Sequence, residues 1–361
     1  MKNLVGYDWI LLLTTVFLTS IGVLMIYSAS IEADGVDLTF VNRQIAFLIT
    51  GIILYLVIAK IDYRFMARIS IFLYFFVIML LILTFFLGQE VRGSVRWIDL
   101  KIITIQASEI AKPVLILTLA NFFSRYPVQK LRNILLSFVI TLLPAGLIFL
   151  QPDLGSTIII LGLWIILIFA AGIRVSHIIL LIGFFSLITP FLWTLLQDYQ
   201  KERLFSFVNP QKDPLGSGYN LVQSIIAVGS GGLTGRGFGR GTQSQLNFLP
   251  EQKTDFIFAT LAEELGFLGF SLVIGSFVLI IYRISLVFNR VKDILGSLIS
   301  LGVASLIIIH IFINIGMNIG IFPVTGITLP FLSFGGSSLI SFMISLGLVN
   351  SVSIYSTRRK G

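Results

Sequence analysis

The amino-acid sequence predicts an all-α, polytopic membrane protein with about ten transmembrane helices. Of its 361 residues, 56% are hydrophobic and only 12% are charged, whereas an ordinary globular domain has roughly 25% charged residues. Its mean hydropathy is +0.99, and apolar stretches of about 20 residues, the length that crosses a bilayer as a helix, recur along the chain. No polar block between them is long enough to bury its own core, so residues 1–361 are predicted to form a single transmembrane domain.

The predicted spans are apolar runs that are bounded by polar or basic residues. In chain order they cover 9–28, 44–59, 69–88, 105–123, 133–150, 156–173, 176–197, 255–282, 294–317 and 338–356. The first run is not followed by a small-residue cleavage site, so it is interpreted as a retained span and not as a removed signal peptide.

Basic residues predict the orientation of these spans. Because the number of spans is even, both termini fall on one side, and the loops on that side carry most of the lysines and arginines. These are Lys2, Lys60, Arg64, Arg68, Arg125, Lys130, Arg132, Arg174, Arg283, Arg290, Lys292, Arg358, Arg359 and Lys360. Lysine and arginine accumulate in cytoplasmic loops, so both termini are predicted to be cytoplasmic.

One predicted loop is much longer than the others. Residues 198–254 lie between predicted helices 7 and 8, on the extracytoplasmic side, and are rich in Gly, Asn, Gln and isolated charges. Loops of this length are usually functional or disordered. Because apolar pieces occur at 221–228 and 248–249, amphipathic segments that lie on the membrane surface or cap a cavity are favoured over a free coil.

A second irregular stretch is predicted at 322–338, before the last span. It is too apolar for a water-exposed loop, yet it contains two prolines and several glycines. Backbone that is not helical at membrane depth must be buried in protein or line a wet cavity. We therefore expect this stretch to pack inside the bundle.

The composition excludes several classes of chemistry. With no Cys and two His, thiol catalysis and disulfides are excluded, and a His-rich metal site is not expected. The motifs G-x-x-x-x-G-K-[ST] and G-x-G-x-x-G are absent, so nucleotide binding is not supported. The net charge of +8 is explained by membrane topology, and no nucleic-acid partner is expected. No cofactor is required, although a divalent cation at a phosphate group is compatible with the sequence.

Two ionisable residues occur inside the fourth predicted span. Glu109 and Lys112 are three residues apart, which places them on one face of a helix where they can pair. A charge in hydrocarbon costs about 2.5–3.5 kcal/mol or more, so an interior location is expected. A structural ion pair and a functional cavity are equally compatible with this pattern.

A third acid, Asp153, opens the sixth predicted span within the string QPDLGST. Acids are favoured at helix N-termini by the helix dipole. This structural role is preferred to a catalytic one for Asp153.

The remaining acids cluster where the long loop enters the eighth span. Thr254 is predicted to be an N-cap and Asp255 a first-turn acid, and Glu263 and Glu264 follow. The loop also delivers cations to this face. They are Arg203, Lys212, Arg236, Arg240 and Lys253. In Gly235–Gly241 glycines alternate with Arg236 and Arg240, so backbone N–H groups and guanidinium groups are expected to bind an anion such as a phosphate.

This combination indicates a reaction class. A synthesis outside the cytoplasm needs a substrate that is already activated, and a lipid-linked diphosphate suits a protein with a lipid-facing wall and an external basic loop. Cations would stabilise the departing diphosphate, and a carboxylate would take the proton from the attacking hydroxyl group.

Several strings resemble the SEDS family (shape, elongation, division and sporulation) of bacterial cell-wall polymerases, and its elongation members most. They are RGSVRWIDL (92–100), QASEIAK (106–112), QPDLGST (151–157), NPQKDPLGSGYNLVQSIIAVGSGGLTGRGFGRGTQSQLNFLPEQKTDFIFATLAEELGF (209–267) and NIGIFPVTGITLPFLSFGGSSL (318–339). The resemblance covers essentially the whole chain. It implies a ten-helix glycosyltransferase of the bacterial inner membrane, with an extracytoplasmic active site, that polymerises lipid II into β-1,4-linked glycan strands. It also implies a partner, a class B penicillin-binding protein with transpeptidase activity.

The resemblance also implies roles for particular residues. Asp255 matches the proposed catalytic acid of the family and is expected to be the general base. Glu109 and Lys112 match the membrane acid and lysine of the fourth helix, which shape a cavity beside the site. Asp153 lies in a family motif whose role is less defined. Ala107 stands where relatives commonly have Pro, which changes helix entry more than chemistry.

Arg203, Arg236, Arg240 and Lys253 are assigned to diphosphate or sugar binding by the charge argument alone. The main alternative function is a flippase for lipid II or another transporter of lipid-linked substrates, because ionisable residues and broken helices inside the membrane are typical of substrate pathways. A scaffold that only holds its partner is a third interpretation.

Overall fold

The structure is a computed structural model that describes residues 7–32, 35–91, 94–99, 104–210, 216–246 and 248–357. This part of the chain is mainly helical. Its helices are α1 (Trp9–Ser28), α2 (Thr39–Lys60), α3 (Tyr63–Leu87), α4 (Ala107–Arg125), α5 (Leu131–Leu150), α6 (Leu154–Ala170), α7 (Val175–Leu195), α8 (Asp198–Val208), α9 (Ser217–Ser230), α10 (Thr242–Gln245), α11 (Ile257–Arg290), α12 (Ile294–Asn318) and α13 (Gly336–Thr357).

Each predicted span overlaps one of these helices, although the ends differ by several residues. Within the described ranges, 7 helices are long and apolar enough to cross a membrane, while 154–170 and 175–191 are shorter apolar helices. Helix α4 contains the ionisable residues Glu109 and Lys112, which lower its mean hydropathy relative to the other predicted spans. The protein is therefore a polytopic helical membrane protein, and a total of ten spans stays a prediction.

The prediction of an all-α fold was incomplete, because two connections form small antiparallel sheets. Strands β1 (Ile31–Glu32) and β2 (Gly35–Val36) pair between α1 and α2. Strands β3 (Gly88–Val91), β4 (Ser94–Asp99) and β5 (Thr104–Gln106) form a sheet in that order between α3 and α4. Hydropathy identifies spans but carries no information on short polar connections, whose backbone groups still need hydrogen-bond partners.

Contacts at the helix ends divide the connections into two groups. At one end, Arg283 pairs with Asp8 at 2.8 Å, and the Tyr63 hydroxyl donates to Asp293 at 2.7 Å. We call this end the basic face, because its loops carry most of the lysines and arginines. At the other end, the Ser28 hydroxyl donates to Glu264 at 2.6 Å, and Gln106 N, directly before α4, donates to the Ser337 hydroxyl at the start of α13 at 3.0 Å. We call it the loop face, because helices α8, α9 and α10 lie in the loop 198–254 that belongs to it.

Helix α11 is broken at Gly266, a feature that the prediction of one continuous span at 255–282 missed. Gly266 has φ 63° and ψ −160°, a conformation that essentially only glycine adopts. The loop occupies the gap, since Arg236 N and Gly237 N donate to the carbonyl groups of Glu263 and Glu264 at 2.9 and 3.0 Å. The loop is thereby joined to the helix through backbone hydrogen bonds.

The predicted irregular stretch before the last span is confirmed for 322–335, and α13 begins at Gly336. Side chains from neighbouring elements satisfy its carbonyl groups. Asn314 donates to Ile327 O at 2.7 Å, and Arg203 donates to Val324 O at 3.3 Å. The non-helical backbone is thus supported inside protein, as the physics of the bilayer requires. We call 322–335 the inner segment.

Candidate active site

Asp255 lies in a turn, 251–256, that links the long loop to α11. Three successive carbonyl groups of this turn are held from outside it. Phe334 N donates to Lys253 O at 2.8 Å, and the Ser333 hydroxyl donates to Thr254 O at 2.7 Å. Asp255 O accepts from Asn314 Nδ2 at 3.1 Å and from Asn318 Nδ2 at 3.1 Å. The position of Asp255 is therefore fixed through its backbone.

The predicted capping roles in this turn were wrong. Helix α11 begins at Ile257, its N-cap is Phe256, and no acid lies in its first turn. Thr254 instead donates its hydroxyl to Glu251 Oε2 at 3.0 Å. Asp255 is thus not a first-turn residue, and its half-buried side chain lies against the inner segment, where a Cβ on Gly326 would be 3.6 Å from Asp255 Oδ2.

A partly open cavity of about 70 Å³ lies beside the same part of the inner segment. It is bordered by the N-terminal end of α6, by α8, by β4 and by the inner segment. Its lining residues are Arg96, Pro152, Leu154, Ile158, Gln200, Arg203, Leu204, Pro323, Val324 and Thr325. Two arginines are thus among the lining residues of a mostly apolar wall. Thr325, which also lines it, precedes Gly326 directly in the chain. Arg203, a predicted site residue, lies here.

Lys253 lies on the side of the turn that faces α2. Its Nζ is 4.3 Å from the centre of the Phe40 ring, a cation–π contact. Asp37 is nearby, and its pKa is lowered by hydrogen bonding from the backbone N–H of Thr39 and, to a smaller extent, by the charges of Lys253 and Arg43. The ammonium group is therefore engaged with α2.

The structure contradicts the prediction that the backbone amides of Gly235–Gly241 bind an anion. The amides of Gly235, Arg236, Gly237 and Arg240 donate to carbonyl groups within the protein, and Gly239 N donates to Glu264 Oε2 at 3.2 Å. The first glycine serves close packing, because a Cβ on Gly235 would lie 2.1 Å from Glu264 O.

The arginine side chains of this segment remain exposed. Arg236 Nε donates to the Ser230 hydroxyl at 3.2 Å, and the Arg240 side chain is also exposed. The segment packs toward α1, with Phe238 stacked on Tyr27 at a centroid distance of 6.4 Å. The contacts of this segment thus join it to α1 and to the break in α11, whereas Arg203 contacts the inner segment.

Glu263 and Glu264 are buried, and their carboxylates hold the loop. Glu263 accepts hydrogen bonds from the hydroxyl and backbone amide of Ser244, from Gln243 N and from the Thr242 hydroxyl, at 2.9–3.2 Å. Glu264 accepts from Ser28 at 2.6 Å and from Gly239 N at 3.2 Å. With their lone pairs used in this way, both acids are structural.

Glu109 and Lys112 form the predicted ion pair, with Lys112 Nζ 2.6 Å from Glu109 Oε1. Both are buried, with 5% and 1% of their surface exposed. A third member was not predicted, since Lys112 Nζ also lies 3.2 Å from His310 Nε2. Glu109 Oε2 has no hydrogen-bond partner among the described residues. The pair is therefore part of a larger polar cluster inside the bundle.

Asp153 has the structural role that the sequence favoured. It is the N-cap of α6, and its Oδ1 accepts from Ser156 N at 3.1 Å. Arg96 Nη1 lies 3.9 Å from the same oxygen, and Arg96 donates to Pro152 O. Asp153 thereby orients Arg96, a residue that the sequence argument did not select, at the wall of the cavity.

His310, Asn314 and Asn318 were also missed, although the signal was present. They recur at every fourth position of an apolar span, which places three polar side chains on one helix face. In the part of the chain that the structure describes, no group of three or more His, Asp or Glu side chains is arranged to hold a metal ion.

Comparison with known proteins identifies the family. A family model described as cell cycle protein, whose label joins FtsW, RodA and SpoVE, matches residues 8–358. The peptidoglycan glycosyltransferase MrdB of Escherichia coli K12 is 38% identical over 333 residues, covering 91% of this chain and 90% of MrdB. Stage V sporulation protein E of Bacillus subtilis is 39% identical over 369 residues and covers 97% of each chain. Peptidoglycan glycosyltransferase RodA of Treponema pallidum is 34% identical, covering 97% and 98%.

Solved structures agree with this assignment. A chain from a study of how a peptidoglycan synthase complex coordinates polymerization and crosslinking superimposes with a TM-score of 0.83 at 29% identity, covering 97% of this chain and 98% of that chain. The rod shape determining protein RodA of Thermus thermophilus gives a TM-score of 0.74 at 28% identity, covering 98% and 99%. The resemblance to the SEDS family is confirmed, and the chain belongs to the cell cycle protein family of FtsW, RodA and SpoVE.

Proposed function

We propose that the protein is a peptidoglycan glycosyltransferase that polymerises lipid II into β-1,4-linked glycan strands. The names of the full-length relatives MrdB and RodA support this activity. We assign it to cell elongation, the role that the motifs resemble most. The similarity to sporulation and division relatives, at 39% and 38% identity, is as high as that to MrdB, so this finer assignment rests on the motifs alone.

The single observation that carries the proposal is the position of Asp255. Its backbone carbonyl is held by two asparagines, and its half-buried carboxyl group lies beside Gly326, next to the cavity-lining Thr325. A glycosyl transfer that converts an α-diphosphate into a β-linkage inverts the anomeric centre in one displacement. One general base is then sufficient, and Asp255 takes the proton from the 4-hydroxyl group of the acceptor as the bond to C1 forms.

The departing diphosphate needs cations. Arg203 and Arg96 both line the cavity beside the inner segment. Guanidinium groups match phosphate oxygens in geometry and charge. We assign Arg203 as the main diphosphate ligand, with Lys253 at the rim, while exposed Arg236 and Arg240 serve long-range attraction of the anionic substrate.

We assign the orientation in the membrane from the distribution of basic residues. The loop face is extracytoplasmic and the basic face is cytoplasmic, with both termini there, because lysines and arginines concentrate in cytoplasmic loops. The membrane is the bacterial inner membrane, and lipid II enters from it. A class B penicillin-binding protein crosslinks the product. The structural neighbour from a complex that coordinates polymerization and crosslinking supports such a partner.

A second candidate function is transport of lipid II across the membrane. The observation that favours it is the buried Glu109–Lys112 pair, in which Glu109 Oε2 lacks a partner among the described residues. Charged residues inside a bundle are common along substrate pathways. A transporter leaves no chemical product in detergent micelles, where two compartments do not exist.

The experiment compares Asp255→Asn with wild type in detergent, with lipid II as substrate and the penicillin-binding partner added in a parallel series. We expect polymerisation to fall about 10²–10⁴-fold, the usual contribution of a general base, while the midpoint of thermal unfolding stays unchanged. Asp198→Asn is the matched control, because that acid is exposed on α8. Normal glycan strands from Asp255→Asn would reject the base, and no polymer from the wild type with its partner would reject the enzyme.

A further inference from the structure

Helix α12 carries a column of three buried polar side chains. His310, Asn314 and Asn318 follow each other at every fourth position and are 1%, 0% and 0% exposed. Residues four apart lie on the same face of a helix. Each of the three contacts a backbone carbonyl group of another element, at Thr328, Ile327 and Asp255. We call this set the α12 polar column.

The column connects two features that are distant in sequence. At one end, His310 Nε2 lies 3.2 Å from Lys112 Nζ, in the buried ion pair. At the other, Asn318 donates to Asp255 O and accepts from Ala259 N at 3.3 Å. Between them, Asn314 donates to both Ile327 O and Asp255 O. The inner segment and the turn 251–256, which contains Asp255, are therefore supported by the same side chains.

The contacts of His310 define its protonation. An ammonium group has donors only, and a carbonyl group only accepts. Nε2, which faces Lys112 Nζ, must then be the acceptor, and Nδ1, at 3.1 Å from Thr328 O, must carry the hydrogen. His310 is thus a neutral imidazole in the Nδ1–H form, and it links the ion pair to the backbone of Thr328.

We propose that His310 is a positioning residue for Asp255. This inference rests on the function proposed above. Its bond to Thr328 O fixes the inner segment two residues beyond Gly326, the residue that borders the Asp255 carboxyl group. The bond to Lys112 fixes the ring itself. Loss of this link lets the Gly326–Thr328 backbone shift, so the carboxyl group loses its orientation to the acceptor while substrate contacts at Arg203 persist.

Two substitutions separate this role from general packing. His310→Leu keeps an apolar body but removes both hydrogen bonds. His310→Gln keeps an acceptor and a donor at nearly the spacing of the two ring nitrogens. We expect kcat of His310→Leu to fall about 10–100-fold with KM unchanged, because misplacement by 1 Å can cost about 10²-fold. His310→Gln should restore most of kcat.

A spectroscopic measurement is independent of activity. The chain has two histidines, so ¹⁵N labelling of histidine gives two rings, and His177→Gln assigns them. We expect His310 to show a protonated Nδ1 and an unprotonated Nε2 in wild type. Two protonated nitrogens, or a proton on Nε2, would overturn the assigned link.

Failure of the positioning role can be told apart from failure of the proposed function. Equal kcat for folded His310→Leu and wild type, or a His310→Gln enzyme as slow as the Leu variant, would reject the positioning role. If His310→Leu does not fold, the Gln variant and the nitrogen spectrum decide. An active Asp255→Asn enzyme would reject the general base, and with it the catalytic purpose of the positioning, whereas the spectrum of His310 tests its contacts without reference to turnover.

Discussion

Asp255 and Glu263 are acids of the same short stretch, yet the fold holds them in opposite ways. Glu263 is buried, and its carboxylate accepts four hydrogen bonds from Thr242, Gln243 and Ser244. Asp255 is half-buried and is held through its backbone carbonyl by Asn314 and Asn318. The Glu263 carboxylate thus anchors the loop, whereas the backbone of Asp255 is anchored to α12, which places its carboxyl group beside Gly326.

This difference teaches that the number of acids at a site says little about their roles. From composition alone, Asp255, Glu263 and Glu264 form one acidic group at the mouth of a helix. In the structure, the two glutamates hold the loop at the break in α11, and Asp255 lies at the inner segment beside the cavity. The following variants test whether the two regions are as separate as this comparison implies.

The largest stability effect is expected from the ion pair below the α12 polar column. Lys112→Ala should lower the free energy of unfolding by about 3–5 kcal/mol, because it leaves a buried carboxylate without its counter-ion. Thermal unfolding in detergent measures the loss. Adding Glu109→Gln should restore much of it, and a double variant as unstable as Lys112→Ala would contradict a structural ion pair.

Glu263→Ala should act on the loop and not on the base. Removal of this carboxylate leaves the buried donor at Ser244 N and the part-buried donor at Gln243 N unsatisfied, so the free energy of unfolding should fall by about 1–3 kcal/mol. Limited proteolysis should cut faster near α10. The rate of polymerisation per folded molecule should remain within a few-fold of wild type, and a loss as large as that of Asp255→Asn would end the separation of the two regions.

Gly326→Ala should show the reverse pattern, a modest stability loss with a clear loss of activity. Gly326 has φ 73°, so an alanine there costs about 1–2 kcal/mol, and its Cβ would lie 3.6 Å from Asp255 Oδ2. Steady-state kinetics together with thermal unfolding would measure both. Gly146→Ala is a suitable control, since no atom lies within 4 Å of its added Cβ. Unchanged kcat for Gly326→Ala would indicate that the inner segment does not constrain the carboxyl group.

The smallest effect is expected at Lys253. Lys253→Met keeps most of the apolar stem but removes the cation above Phe40, so the free energy of unfolding should fall by about 0.5–1 kcal/mol. If Lys253 also contacts the diphosphate at the rim, KM should rise while kcat is retained. A loss of kcat comparable to that of Asp255→Asn would instead move Lys253 into the catalytic centre.

The fold was predictable where the bilayer dictates it. Every predicted span overlaps a helix, because long apolar runs have few alternatives in a membrane. The break at Gly266 was not predictable, since glycine is common in transmembrane helices and hydropathy does not register backbone angles. The predicted N-cap at Thr254 failed because the turn 251–256 is shaped by contacts from Ser333 and Phe334, which are remote in sequence.

The site was predictable in part. The Glu109–Lys112 pair followed from helical spacing, and Asp153 from its place before α6. The glycine-rich segment was misinterpreted because alternating Gly and Arg suits an anion site as well as close backbone packing, and only tertiary structure separates the two. The α12 polar column could have been detected from its spacing, but its carbonyl partners in the inner segment and at Asp255 could not.

The even spacing of the α12 polar column also limits how the length of this helix can vary. One residue inserted between His310 and Asn314 would rotate everything beyond it by about 100°. Asn314 and Asn318 would then face away from Asp255 and Ile327 while His310 kept its partner. Insertions and deletions should therefore be tolerated in the neighbouring loops but not between these three residues, even where hydropathy is unchanged.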